Sequence, residues 1–401
     1  MKAALRGFLE ARMLADVYVT IASIPGSLLD RMGGVGPFSE IRRRRFDPLL
    51  KSHIHTWPWF ELGRLLALKA GLKKLTKAET GLFHVDAVLQ NLDKYVAKNL
   101  KHAQSKGITA IYSYEDTALH TFRKAKNLGL QCLYDLPIGY WKSARKLLDA
   151  ERDRWPDWVS TMPGLSDAEQ KLANKDEELE LADQIFVAST FTANSLKEYS
   201  GKLAPVEIIP YGFSTVSKET RNYVDFKTKR RLKLLFVGSL SQRKGVADLF
   251  SAVEKFGNSV ELTLVGRKPT DECKALNAAL SCHRWIPSLS HHEVLKLMRE
   301  SDVLVFPSLF EGFGLVITEA MSQGTPVITT DRTAGPDIIE HGKNGWLLKA
   351  GVPFSLENTL EEILKKTEII RDFGQAAMET ARLRPWESYG RELAVAVNRI
   401  L

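Results

Sequence analysis

The chain has 401 residues, more than a single hydrophobic core organises well, so two domains are expected. With 44% hydrophobic and 26% charged residues it has the make-up of a globular protein, and no apolar run approaches the length of a membrane span. The formal net charge of +8 is concentrated: residues 1–110 hold 18 Lys/Arg against 9 Asp/Glu, and the remainder is close to neutral.

The opening "MKAALRGFLEARML" is amphipathic and helix-like. Arg6, Glu10 and Arg12 interrupt it before a signal-peptide core forms, so a cytoplasmic chain is expected. A doubly wound domain opens on a strand, yet this sequence opens on a helix; the first strand is either lost or lies ahead of residue 1. "DVYVTIAS" (16–23) is strand-like. The basic excess follows in "IRRRR" (41–45) and "KAGLKK" (69–74), with aromatics in "TWPWF" (56–60) between them. Such a stretch suits an acidic partner, either an anionic membrane surface or a phosphorylated molecule; the plainer alternative is a solvated basic face. No nucleic-acid recognition motif accompanies the charge, so nucleic acid is not expected.

From residue 108 the pattern alternates. "ITAIYSY" (108–114) reads as a strand, "TALHTFRKAKNLG" as a helix closed by Gly129, and "LQCLYDLP" as the next strand. "LADQIFVAS" and "VEIIPYG" give two more strands around the helix "TANSLKEYS". Residues 214–231 are polar and charged and read as a linker. A second series follows in "LKLLFVG", "VELTLVG", "SDVLVFPS" and "TPVITT". Its apolar strands fit a buried parallel sheet. The expected fold is α/β with two Rossmann-like doubly wound domains, 1–212 and 232–385, joined by a linker at 213–231. A last helix, 386–401, is expected to cross back to the first domain. Cys132, Cys273 and Cys282 form neither a CxxC pair nor a metal-ligand spacing, which reads as small thiols in a reducing compartment.

Two stretches carry chemistry. "LLFVGSLSQRKGVADLF" (234–250) is a strand, a polar loop and a helix starting near Gly245. Its loop holds Gly238, Ser239, Arg243 and Lys244, and cations beside a helix N-terminus make an anion site. No Walker A loop and no GxGxxG after a strand is present, which argues against P-loop and dinucleotide sites. "PSLFEGFGLVITEAMSQGTPV" places Glu311 in a glycine-bearing loop and Glu319 inside the following helix, which Gly324 and Pro326 end. The amides of Gly312, Phe313, Gly314, Leu315 and Val316 are unpaired donors of the helix start, and two carboxylates beside them suit a hydroxylated ring. The plainer reading makes Glu311 a turn residue and Glu319 an ion-pair partner.

This setting of Glu311, seven residues and Glu319, with "FVGSLSQRKG" before it and "TAGPDIIEHGKNGWLL" after it, resembles the retaining GT-B glycosyltransferases, specifically glycosyltransferase family 4. The resemblance covers the C-terminal half nearly end to end. The first half resembles the family only through "ELADQIFVASTFTANSL" and "IIPYGF". It implies a two-domain GT-B fold with the ligand between the domains, and transfer from a nucleotide-diphosphate sugar, UDP- or GDP-linked, with retention at the anomeric carbon. It implies that Glu311 holds donor-sugar hydroxyls and that Gly312, Phe313, Gly314 and Leu315 form the loop meeting sugar and phosphate. By the same resemblance Val316 stands at the phosphate-facing helix start, Glu319 binds the ribose, Lys244 neutralises the diphosphate, and Ile286 touches the base through its backbone. Arg267 is a further donor-cleft candidate. The family's arginine after Gly238 is here Ser239, and Arg243 stands ready to replace its charge. Asp135, in "CLYDLPIGYW", occupies the position of the family's catalytic-site polar residue, with capping of the next helix as the alternative. Glu115 and Asp116 are expected to face the same cleft. His84 and His120 read as packing or surface residues. "RMGGVG" (31–36) lies too far along to serve as the family's first glycine loop. No Asp-x-Asp occurs, so neither a metal held by that motif nor any other cofactor is expected. Two alternatives stay open: a nucleotide-sugar-binding protein without turnover, and a sugar-nucleotide epimerase of the same architecture.

Overall fold

The computed structural model describes residues 1–26, 30, 44–162, 167–219, 221–223 and 230–401. "RMGGVG", the first three residues of "IRRRR" and most of the second half of the linker lie outside them.

Helix α1 (Lys2–Glu10) leads into β1 (Val17–Val19), which pairs in parallel with β2 (Ile54–Thr56). Helices α2 (Trp59–Lys69), α3 (Lys73–Thr76) and α4 (Val85–Gln104) follow. A separate four-stranded parallel sheet then forms from β3 (Ala110–Tyr114), β4 (Gln131–Leu136), β5 (Gln184–Val187) and β6 (Val206–Ile208), in that spatial order. Its crossovers carry α5 (Leu119–Asn127), α6 (Trp141–Arg154), α7 (Glu169–Leu181) and α8 (Thr190–Ser195). The N-terminal strands therefore fall into two sheets: β3 is an edge strand, and no described strand joins it to β1.

The C-terminal lobe is a six-stranded parallel sheet in the order β12-β11-β10-β7-β8-β9. Its strands are β7 (Leu232–Val237), β8 (Val260–Val265), β9 (Arg284–Ile286), β10 (Val303–Phe306), β11 (Val327–Thr330) and β12 (Gly345–Leu348). Helices α9 (Val246–Phe256), α10 (Lys274–Ser281), α11 (His291–Glu300), α12 (Leu315–Ser322), α13 (Gly335–Ile338), α14 (Ser355–Lys365) and α15 (Ile369–Leu383) cover it. Strands β7, β8, β10 and β11 are buried on both faces, which is why they read as near-continuous apolar runs. The winding reverses between the adjacent strands β7 and β10, and the crevice at their carboxyl ends is where such sheets hold ligands.

The last helix, α16 (Trp386–Asn398), lies against α1. A Cβ at Gly7 would stand 2.0 Å from the Gly390 carbonyl oxygen, so the two backbones meet where neither carries a side chain. Leu393 and Val397 of α16 share a core with Ala4 and Phe8 of α1 and with Leu133 of β4, so the end of the chain completes the first lobe.

Candidate active site

The loops after β7 and β10 converge. Gly238 ends β7 with φ 153°, and its amide donates to Val265. A Cβ at Gly266 would lie 1.7 Å from the Gly238 carbonyl oxygen, so the two loops cross in direct backbone contact. A short 3-10 turn at Gln242–Lys244 follows, and Gly245, at φ 72°, starts α9. A Cβ at Gly245 would meet the Pro307 carbonyl at 2.1 Å, so this glycine lets the turn lie on the end of β10. The amide of Leu309 then donates to the Arg243 carbonyl at 2.9 Å.

That packing brings Lys244 onto Glu311. The ammonium is in ion-pair contact with the carboxylate, and the Arg243 guanidinium lies 3.8 Å from the same oxygen. Arg243 also donates to the Phe310 carbonyl at 2.8 Å, and the Lys244 ammonium stands 5.0 Å from the centre of the Phe306 ring. Lys244 is buried; desolvation, and then the neighbouring guanidinium, push its ammonium down to about 6. Burial likewise lowers Arg243. The cluster thus sets two basic side chains against one carboxylate.

Gly314, at φ 88°, caps α12 without any side-chain hydrogen bond, and Leu315 in its first turn is 42% exposed. Amides at this open helix start are donors for an anion. Glu319 faces the imidazole of His291 at 3.8 Å; burial raises its carboxyl, and His291 opposes that shift. Phe313 is buried and packs on Tyr211 with ring centres 5.0 Å apart, so its side chain is a wedge between lobes. Val316 is half-buried, and Ser239 and Arg267 are exposed around the Gly238 loop. Ile286 uses its carbonyl to accept from Gly266 at 3.0 Å, so that oxygen is engaged within the sheet.

The structure brings Lys244, Arg243, Glu311 and the glycine loop together. Asp135 lies on the sheet face under α1 and α16, is 3% exposed, and accepts a hydrogen bond from the Tyr112 hydroxyl. Burial pushes its carboxyl up to about 6, against the Tyr112 bond. It does not cap the next helix either: Tyr140 precedes α6, with no side-chain cap. Glu115 and Asp116 turn to α7, where Lys175 stands 3.0 and 3.7 Å from them, and the lysine's charge is favoured despite its burial. His84 sits at the start of α4, 3.6 Å from Asp86, and the His120 amide donates to Asp93.

Sequence reasoning missed how the first lobe grips the Glu311 loop. Ser189 and Thr192 hydroxyls donate to the Gly312 carbonyl at 2.5 and 3.0 Å, and a Cβ at Gly312 would lie 1.9 Å from the Pro137 carbonyl oxygen. Thr190 donates to Asp337 at the start of α13 through its amide at 2.9 Å and through its hydroxyl. Phe191 packs edge-on to Phe310 with ring centres 5.3 Å apart. "ASTFTANS" shows only a helix cap, which Ser189 does supply through the Thr192 amide. Nothing in that local pattern names a carbonyl 123 residues away.

Residues 218–380 match the family described as Glycosyl transferases group 1. Among curated relatives, the N-acetyl-alpha-D-glucosaminyl L-malate synthase of Bacillus anthracis is 31% identical over 152 residues, 37% of this chain and 40% of that protein. The phosphatidyl-myo-inositol mannosyltransferase of Mycobacterium leprae is 30% identical over 159 residues, 38% of this chain and 42% of that protein. The matched region thus spans about two-fifths of each relative's length. Similar solved structures extend across both lobes. The sucrose-phosphate synthase of Thermosynechococcus elongatus aligns with a TM-score of 0.61 at 20% identity, over 80% of this chain and 81% of that one. HepE of Anabaena, in complex with UDP, aligns with a TM-score of 0.61 at 17% identity, over 96% and 100%. The chain therefore has the GT-B fold, and its residues 218–380 match the Glycosyl transferases group 1 family.

Proposed function

We propose that this protein is a retaining glycosyltransferase that moves a sugar from a UDP- or GDP-linked donor to an acceptor. The observation that carries the proposal is the Lys244–Arg243–Glu311 cluster at the switch point of the C-terminal sheet, beside the open start of α12. A nucleoside diphosphate leaving group gains negative charge as the glycosidic bond breaks. Lys244, Arg243 and the α12 amides are assigned to stabilise that charge. Glu311, released from Lys244 when the diphosphate takes the ammonium, then accepts hydrogen bonds from sugar hydroxyls. Glu319 is assigned the ribose. HepE has been solved with UDP and with UDP-glucose, which supports a donor of this class. A same-face displacement, in which the leaving phosphate helps take the acceptor proton, is the mechanism assigned to this transfer.

Lys244→Ala and Glu311→Ala are expected to lower kcat/KM by at least about 100-fold with the far-UV circular dichroism spectrum unchanged. Near-normal transfer in either variant would remove the assignment. An inverted product anomer, read by NMR, would overturn retention. A thermal-shift screen over UDP- and GDP-sugars identifies the base.

The acceptor side supports a second reading, a nucleotide-sugar-binding protein without turnover, because among the described residues the first lobe's strands form two separate sheets. Donor binding with no transfer across a broad acceptor panel would favour it; nucleotide release without any acceptor would favour an epimerase. The basic quarter is assigned to peripheral docking on an anionic membrane on the cytoplasmic side. The α2 residues Trp59 and Leu66 are each 63% exposed, one turn-pair apart on one helix face, and Lys73, Lys74 and Lys77 follow, all exposed.

A further inference from the structure

A cavity of about 320 Å³ lies between β1 and β3, in a part of the first lobe that the donor site does not use. Both strands present an edge to it. In the β1–β2 ladder, the Val17 amide donates to His53 and the Trp57 amide to Val19, so residues 17 and 19 point their backbone groups at β2. The alternation of a strand then turns the amide and carbonyl of Tyr18 the other way. In the β3–β4 ladder, the Thr109 carbonyl accepts from Gln131 and the Glu115 amide donates to Asp135, which assigns the odd-numbered residues to β4. Ala110 and Tyr112 therefore turn their amides and carbonyls toward the cavity. Among the described residues neither edge has a strand partner there.

We propose that this cavity is a slot for an extended apolar peptide, which pairs with Tyr18 on one side and with Ala110 and Tyr112 on the other. The backbone rows select the occupant's class. A hydrocarbon chain would fill the space and leave these amides and carbonyls without hydrogen bonds in an apolar setting, which is unfavourable. A peptide strand satisfies both rows at once, the pairing used in strand addition. The lining selects its composition. Phe8 of α1 and Val397 of α16 are among the walls, and so are Leu92 and Val96 of α4. Side chains of an inserted strand would meet apolar helix surface on either face, so the occupant is a continuous apolar run without proline rather than an alternating one. The five residues of β3 set its length, roughly 17 Å of extended chain.

The test keeps the protein intact and supplies the strand as a probe. A six-residue Val/Ile/Leu segment is joined ahead of Met1 through a Gly-Ser linker, with a control carrying proline at its centre, and the same segment is also added as a free peptide. Amide exchange is read at Tyr18, Ala110 and Tyr112. The apolar segment is expected to slow exchange at all three by at least about 100-fold and to raise Tm by at least about 5 °C, with the proline control doing neither. The same protection from the free peptide supports the slot equally. Equal exchange with the apolar and proline segments would overturn the proposal. So would a rise in Tm with a free fatty acid that exceeds the rise with either peptide form, since that would make the cavity an acyl-chain site.

Discussion

Glu311 illustrates how a side chain's role depends on its neighbours. A carboxylate in a glycine loop has many open roles, but Glu311 stands in contact with Lys244 and 3.8 Å from the Arg243 guanidinium, which makes it the partner of two basic side chains. Asp135 has the opposite environment. Its carboxyl is buried, and its folded-state pKa of about 6 lies above the ordinary carboxylate value of 3.8. The sign of the linkage follows: the folded protein binds this proton more tightly, so its stabilising contribution is complete below about pH 4 and is lost as pH rises through 6. Asp135→Asn should flatten the stability profile between about pH 4 and 6, where wild type loses up to about 3 kcal/mol. Urea midpoints measured across that range test this; parallel profiles for the two proteins would contradict the burial argument. At this scale the pairing of two chemistry-bearing motifs was legible because Lys244 and Glu311 each sit in a short motif whose chemistry is local. For Asp135 the sequence shows a strand end but not which sheet face the side chain takes. That face was decided by α1 and α16, more than 100 residues away in either direction.

Among elements, the apolar runs of β7, β8, β10 and β11 were readable because burial on both faces leaves no polar alternation to confuse the period. The short strands β2, β9 and β12 were not, since three or four residues beside histidine, arginine or glycine carry no periodic signal. The helix α12 was legible from its ends, with Gly314 at the start and Gly324 (φ 73°) just past the close. What stayed hidden was its seating against the other lobe. Gly312 was read as a glycine for a ligand, yet its missing side chain also makes room for the Pro137 carbonyl. Gly312→Ala would place a Cβ 1.9 Å from that oxygen, and backbone on both sides cannot yield cheaply. A loss of Tm of several degrees is expected, with a larger radius of gyration in solution scattering as the lobes part. An unchanged radius with lowered Tm would place the strain within the loop instead.

For the molecule as a whole, charge and connectivity act at long range. The basic quarter is partly spent internally: Arg44 and Arg64 both pair with the buried Glu61, and Arg45 stands 3.7 Å from Asp30. Trp57 is likewise structural, stacked on Tyr95 at 4.2 Å and donating to Asn91. Among the described residues, the α2–α3 surface sets exposed Trp59 and Leu66 beside Lys73, Lys74 and Lys77, a grouping that the composition could not single out. Flotation with vesicles containing about 30% anionic lipid should carry the protein upward, neutral vesicles should do so far less, and Leu66→Glu should reduce binding several-fold. Equal partitioning to both vesicle types would defeat the assignment.

The hydroxyls of Ser189 and Thr192 on the Gly312 carbonyl tie the first lobe to the residue next to Glu311. Because the grip falls on backbone, parting the lobes pulls on the chain one residue beyond Glu311. Lobe separation and carboxylate aim are therefore one mechanical coordinate. Any load that spreads the two halves, including anchoring of one half on a surface, is felt at Glu311 as a change of bearing.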